Sequence, residues 1–202
     1  MPRHVRLMLV SDRRRLAEGE LAAMAAEAAR AGVDDLQVRE KDLGGRALAD
    51  LVRAVGAASH GTRARVVVNG RLDVALAAGA GAVQLPEEGL PVAAVKRAFP
   101  QLAVGASRHS TEGARSAEAE GADFVVVGPV FATPGKEHRA LGLAGLEAAA
   151  RAVRVPVYAI GGIDASNARA AVAAGARGLA LLRPFLTGRP ADVVARIEAA
   201  LA

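Results

Sequence analysis

Cysteine and tryptophan are absent from this chain of 202 residues, and its aromatic residues amount to one tyrosine and four phenylalanines. Without cysteine the chain has no disulfide, no thiolate metal site and no nucleophilic thiol. The scarcity of aromatic side chains removes the surfaces on which proteins stack nucleic-acid bases. The formal net charge is +5, but the arginines are spread among acidic neighbours, so we expect no nucleic-acid partner.

Long apolar segments are also missing. The first apolar run, from Val5 to Val10, is interrupted by Asp12 and three arginines, too early for a signal peptide or a membrane span. We therefore expect a cytoplasmic protein with no membrane partner. A length of 202 residues suits one sizeable core, and we expect a single domain over residues 1–202.

The chain has instead eight short apolar runs, each followed by polar or glycine-rich residues. The runs are continuous rather than alternating, which is typical of parallel strands buried on both faces. The predicted strands cover residues 5–11, 35–40, 65–69, 82–85, 102–107, 124–130, 155–161 and 178–183.

Between these runs lie segments rich in Ala, Glu and Arg with apolar residues at helical spacing. The predicted helices cover residues 21–31, 48–58, 92–99, 113–120, 146–153, 165–174 and 192–201. This alternation predicts an α/β fold, a single (β/α)8 TIM barrel. A doubly wound open sheet has the same alternation, but eight units without a dinucleotide-binding fingerprint favour the barrel. Such barrels carry their chemistry on the loops that follow the strands.

A phosphate site is predicted after the last two strands. Gly161 and Gly162 allow backbone N–H groups to approach an anion, and we expect a helix to start at once and add its dipole. Leu182 and Arg183 follow the eighth strand, where barrels often hold a phosphate. The alternative is a tight turn that needs glycine for its backbone alone.

Cationic residues follow the second strand. Alternation places Gln37, Arg39 and Lys41 on one face, with Val38 and Glu40 on the other. If the first face points into the barrel mouth, it forms a cationic wall; otherwise these are solvated residues at the start of a loop. Arg108 and Lys136 are two further candidates for positive charge at this site, and together the set predicts an anionic substrate.

His109 is the histidine that the strand map places at the catalytic face, just past the fifth strand. An imidazole takes and gives protons near neutral pH, so it is the candidate general acid and base. His138, in a long loop after the sixth strand, is a second candidate. A loop histidine is also often an ordinary surface group, so residue type alone leaves the role open.

Five motifs resemble the thiamine phosphate synthase superfamily in order and spacing: QVREK, VVNGRLDVAL, GASRHS, GPVFATPGK and AIGGI. The resemblance covers nearly the whole chain. It implies a barrel that joins a pyrimidine diphosphate to a thiazole phosphate with Mg²⁺ held by two aspartates. Here Gly70 and Gly89 stand at those two positions, so the ion's carboxylate ligands are missing unless Glu87 or Glu88 replaces them.

These departures resemble the TenI-type branch of the superfamily, the thiazole tautomerases. That resemblance implies isomerisation of a carboxylated, non-aromatic thiazole phosphate into its aromatic form, with no metal and no organic cofactor. It implies that His109 is catalytic and that Asn69 and Ser107 join the substrate-binding residues. The implied partner is a small phosphorylated thiazole.

Two other functions remain open. The first is a diverged thiamine phosphate synthase, and the second is a non-catalytic regulator that binds thiazole or thiamine phosphates.

The sequence does not determine the oligomeric state, but Ala-rich outer helices permit pairing and we expect a homodimer.

Overall fold

The computed structural model describes residues 4–133 and 140–202. Within them eight parallel strands form one closed barrel in chain order, and the last strand pairs with the first. This confirms the predicted TIM barrel. The strands are β1 (Arg6–Val10), β2 (Asp35–Val38), β3 (Arg65–Asn69), β4 (Ala82–Leu85), β5 (Ala103–Arg108), β6 (Phe124–Val127), β7 (Val157–Ile160) and β8 (Gly178–Leu181).

Helices surround the barrel. They are α1 (Glu20–Ala31), α2 (Gly45–Ala58), α3 (Leu72–Ala77), α4 (Val92–Ala98), α5 (Thr111–Ala119), α6 (Gly142–Ala152), α7 (Ala168–Ala173), α8 (Arg183–Thr187) and α9 (Pro190–Leu201). The sequence analysis missed α3 and α8, which have six and five residues. Helices this short cover fewer than two turns and give no clear helical period.

None of the described helices combines the length and the apolar character that a membrane span requires.

The strands separate two apolar cores because side chains alternate along each strand. In β1, Leu7 and Leu9 pack in the large cluster shared with the helices, whereas Met8 and Val10 belong to a smaller cluster inside the barrel. The strands are therefore buried on both faces, which explains why they read as continuous apolar runs in the sequence.

A buried charge cluster closes the amino-terminal end of the barrel. The Asp35 carboxylate, which is fully buried, accepts hydrogen bonds from Tyr158 Oη and Arg65 Nε, both at 2.8 Å. Arg6 Nη2 lies 3.4 Å from the same carboxylate. Burial, together with the negative charge of Asp35, raises the pKa of the Tyr158 hydroxyl above its usual range. Tyr158 therefore stays protonated and acts as a donor, and this end of the barrel is a structural closure.

Aromatic rings fill the barrel interior beside two glycines. A Cβ added to Gly105 would overlap the Phe124 ring, and one added to Gly178 would overlap the Tyr158 ring. The two rings contact each other in a tilted arrangement with centroids 5.3 Å apart. The two rings therefore occupy space that is available only because neither glycine has a side chain.

Replacing Gly105 with alanine is expected to lower the free energy of unfolding by about 1–3 kcal/mol, because the new methyl group must displace the Phe124 ring. Gly56→Ala is the matched control. Gly56 lies in α2 with a single atom, Val66 Cγ2, at 4.0 Å, so alanine there stabilises the helix by up to about 1 kcal/mol. Urea unfolding of both variants measures the difference, and equal stabilities would contradict this packing.

Candidate active site

A cavity of about 1260 Å³ opens at the carboxyl ends of the strands, the end at which barrels of this type carry their chemistry. Ten of the predicted site residues line it, and they come from the ends of five strands. They are Gln37, Arg39, Lys41, Asn69, Ser107, His109, Gly161, Gly162, Leu182 and Arg183. Lys136 and His138 lie outside the described residues, so their roles remain predictions.

One side of the cavity is cationic. Arg39 and Lys41, which follow the end of β2, line it together with Arg15 from the turn after β1. The sequence analysis overlooked Arg15. Its neighbours Arg13 and Arg14 form salt bridges with aspartates, whereas these three cations form none within residues 4–133 and 140–202. Their positive charge therefore remains available for an anionic ligand.

Arg39 is held in place by hydrogen bonds below the cavity. Its backbone N–H donates to Ser11 Oγ at 2.9 Å, and the Ser11 hydroxyl donates to the buried carboxylate of Glu40. Glu40 also accepts the backbone N–H of Arg13 at 3.1 Å. The same carboxylate thus ties the loops after β1 and β2 together, and it fixes the backbone from which Arg39 projects.

A chain of three polar side chains crosses the floor of the cavity. Gln37 Nε2 donates to Gln84 Oε1, and Gln84 Nε2 donates to Ser107 Oγ at 2.8 Å. Since Ser107 Oγ accepts this bond, its own hydrogen is free to point elsewhere. The sequence analysis missed Gln84, although a lone polar residue in the apolar run of β4, next to its carboxyl end, is a recognisable signal.

Arg108 does not contribute to the cavity, contrary to the sequence-based expectation. Its side chain is buried and Nη1 donates to the carbonyl of Ser107 at 2.7 Å. Neighbouring side chains on a strand point to opposite faces, so Arg108 faces the surrounding helices while Ser107 faces the barrel interior.

His109 presents one ring nitrogen to the cavity. Its Nδ1 is hydrogen-bonded to the carbonyl oxygen of Gly128, which can only accept, so Nδ1 carries the hydrogen. In the neutral ring Nε2 is then the unprotonated nitrogen, and the Glu87 carboxylate lies 3.9 Å from it. The next residue, Ser110, caps α5 by accepting the N–H of Gly113 at 3.0 Å. The imidazole is therefore oriented, and Nε2 can act as a base.

The loops after β7 and β8 offer free backbone donors. Gly161 and Gly162 have φ angles of +97° and +67°, a left-handed conformation that glycine adopts without strain. Within the described residues, the N–H groups of Gly161, Gly162 and Leu182 donate to no protein acceptor. Arg183, the first residue of α8, lines the cavity beside them. This arrangement suits an anion with several oxygens.

The helix predicted over residues 165–174 is present but begins later than predicted. α7 begins at Ala168, because Asp164 first forms a turn in which its carboxylate accepts the N–H and the hydroxyl of Ser166. Asn167 completes the turn by donating to the carbonyl of Gly162 at 2.8 Å. Any anion at Gly161 and Gly162 is therefore held by loop N–H groups and nearby cations rather than by the dipole of α7.

Residues 7–185 match the family described as thiamine monophosphate synthase. The chain belongs to this family. A relative from Geobacter sulfurreducens, named putative thiamine-phosphate synthase, is 41% identical over 183 residues, which cover 89% of this chain and 86% of the relative. A relative from Aquifex aeolicus, named putative thiamine-phosphate synthase 2, is 39% identical over 182 residues, or 90% of this chain and 97% of the relative.

Two solved structures share the fold, and the first of them also agrees with this membership. A thiamine phosphate pyrophosphorylase from Pyrococcus furiosus superposes with a TM-score of 0.89 and 32% identity, over 98% of this chain and 96% of that one. A 3-hexulose-6-phosphate synthase superposes with a TM-score of 0.74 and 25% identity, over 98% and 100% of the two chains. The resemblance inferred from the motifs is confirmed for the family.

The two glycines at the expected metal positions of the thiamine monophosphate synthase family lie against one proline. A Cβ on Gly89 would lie 3.0 Å from both Cδ and the carbonyl oxygen of Pro86. A Cβ on Gly70, whose φ is +72°, would lie 3.5 Å from Cγ of the same ring. Across the described residues no three His, Cys, Asp or Glu side chains group closely enough to hold a metal. The donor set at these positions does not fit the Mg²⁺ site that the resemblance implies.

Proposed function

We propose that this member of the family is an isomerase that converts a non-aromatic carboxythiazole phosphate into its aromatic tautomer by proton transfer at His109. One observation carries the proposal. Gly70 and Gly89, which pack against Pro86, stand where the resemblance implies metal-binding aspartates, while the oriented imidazole of His109 lines the cavity. A proton transfer that ends in an aromatic ring needs a positioned base and no cation to neutralise a leaving pyrophosphate.

The cavity offers a place for each part of such a substrate. The phosphate binds the N–H groups of Gly161 and Gly162 together with Leu182 and Arg183 on the β7 and β8 side. The carboxylate faces Arg39 and Lys41 on the β2 side. Two anionic groups held on separate loops fix the ring between them, and fixing the reacting atoms next to a base is a major source of rate acceleration.

His109 Nε2 then removes the proton from the ring carbon that bears the carboxylate. The electron pair moves through the ring, and the exocyclic carbon receives a proton. Cations near the carboxylate stabilise the negative charge that accumulates between the two transfers. Aromaticity drives the reaction forward, so the protein has to lower only the barrier of the proton transfers.

The second candidate is thiamine-phosphate synthesis, which the printed names of the relatives favour. Glu87 supports it in one respect, because it places a carboxylate in the cavity on the loop after β4. Glu88 is exposed and lies outside the cavity lining. Glu87 therefore offers one carboxylate where the resemblance implies two aspartates.

Both reactions can be tested on one preparation of the protein with Mg²⁺ present. One sample receives the non-aromatic carboxythiazole phosphate, and the other receives the pyrimidine diphosphate with the aromatic thiazole phosphate. We expect an aromatic product of unchanged mass in the first sample and no thiamine phosphate above background in the second. Thiamine phosphate formation alone would replace the proposal with the synthase, and tight binding without turnover would replace it with a regulator.

A further inference from the structure

Glu87 is placed against the catalytic imidazole by the loop after β4. Its Oε2 lies 3.9 Å from His109 Nε2, and both side chains line the cavity. The other oxygen, Oε1, faces the first turn of α5, where a Cβ on Gly113 would come within 3.3 Å of it. The carboxylate is 41% exposed and lies between the first turn of α5 and the imidazole.

The proposed isomerisation moves protons at two carbon atoms on different parts of the substrate. The ring carbon loses a proton and the exocyclic carbon gains one. Because Nδ1 is bound to the carbonyl of Gly128, the imidazole cannot rotate to follow the substrate from one carbon to the other without breaking that bond. A second proton-carrying group beside Nε2 removes the need for such a rotation.

We propose that Glu87 is a second acid–base residue of this reaction, an assignment that rests on the proposed function. His109 Nε2 takes the proton from the ring carbon, so that this C–H bond breaks and its electron pair moves towards the exocyclic carbon. The Glu87 carboxyl group gives its proton to the exocyclic carbon, where the new C–H bond forms. The Nε2 hydrogen then passes to the Glu87 carboxylate, which restores both groups.

His109 and Glu87 together hold the same number of protons after both transfers as before them. A neutral imidazole beside a carboxylic acid contains the same number of protons as an imidazolium beside a carboxylate, so no proton has to be drawn from solvent. Catalytic hydrogen bonds are often long before substrate binds and shorten in the complex. The distance of 3.9 Å between Glu87 Oε2 and His109 Nε2 is short enough for such a change to bring the two atoms into hydrogen-bond contact.

Glu87→Gln tests the assignment, with Glu88→Gln as the matched control at the exposed neighbour that does not line the cavity. We expect Glu87→Gln to lower kcat about 10- to 100-fold while KM changes less than about twofold, the size of effect typical of losing one proton-transfer group. We expect Glu88→Gln to keep the parent kcat.

Single turnovers in D2O give a readout that a merely structural role would not move. In the parent protein the exocyclic carbon receives solvent deuterium, since the exposed Glu87 carboxyl exchanges its proton faster than turnover. In Glu87→Gln the imidazole alone must carry the substrate's own proton, so protium is partly retained in the product.

Equal kcat in the two variants, or a slower Glu87→Gln with the parent isotope pattern, would overturn the assignment and leave the isomerase standing. No conversion by the parent protein would overturn the isomerase, and the assignment with it.

Discussion

His109→Ala is expected to lower kcat for aromatisation of the carboxythiazole phosphate by a factor of about 10² to 10⁴. Nε2 of this ring is the nitrogen without a hydrogen that lines the cavity, and alanine leaves nothing to take the proton from the ring carbon. The loss is expected to fall on kcat more than on KM, because the residues proposed to bind the phosphate and the carboxylate are unchanged. Absorbance of the aromatic product measures both constants.

His60→Ala is the control for this variant. His60 is exposed just beyond α2 and does not line the cavity, so its replacement should leave kcat unchanged. Thermal unfolding of both variants checks that the barrel is intact. A His109→Ala protein that is folded and fully active would show that the base lies elsewhere in the cavity.

Asp35→Ala is expected to lower the free energy of unfolding by about 3 kcal/mol, at the lower end of the range for breaking a buried ion pair. The change leaves Tyr158 Oη and Arg65 without their acceptor inside the barrel. We take the lower end because the side chains of Arg65 and Arg6 are 25% and 40% exposed, so water reaches their charges.

Asp50→Ala is the matched control because Asp50 forms an exposed salt bridge with Arg53 one turn along α2. Removing an exposed pair of this kind changes stability by about 0.5 kcal/mol or less. Urea unfolding followed by far-ultraviolet circular dichroism compares the two variants. If both lose the same small amount, the cluster at the amino-terminal end of the barrel does not hold the strands together.

The barrel could be predicted from the sequence because its strands are buried on both faces. Each strand therefore gives a continuous apolar run, and the closed order follows from repeating one strand–helix unit. The site residues could be placed for the same reason, since side chains at the carboxyl ends of parallel strands meet at one end of the barrel. Arg39 and Lys41 line the cavity although they lie beyond the end of β2, and alternation applied to β5 would have turned Arg108 away.

Contacts between separate loops could not be predicted in this way. The packing of Pro86 against Gly70 and Gly89, and the approach of Glu87 to His109, depend on how the loops after β3, β4 and β5 fold against each other. No local pattern encodes these distances. The late start of α7 was missed because a turn built by the Asp164 side chain competes with helix formation over the same residues.

The rate of aromatic ring formation, measured on one preparation with excess EDTA and again with excess Mg²⁺, tests the central claim most directly. The account predicts the same initial rate in both, well above the rate in buffer and proportional to the protein concentration. A rate that falls to that of buffer in EDTA and returns with Mg²⁺ would contradict it, because the residues around Pro86 would then hold a catalytic metal.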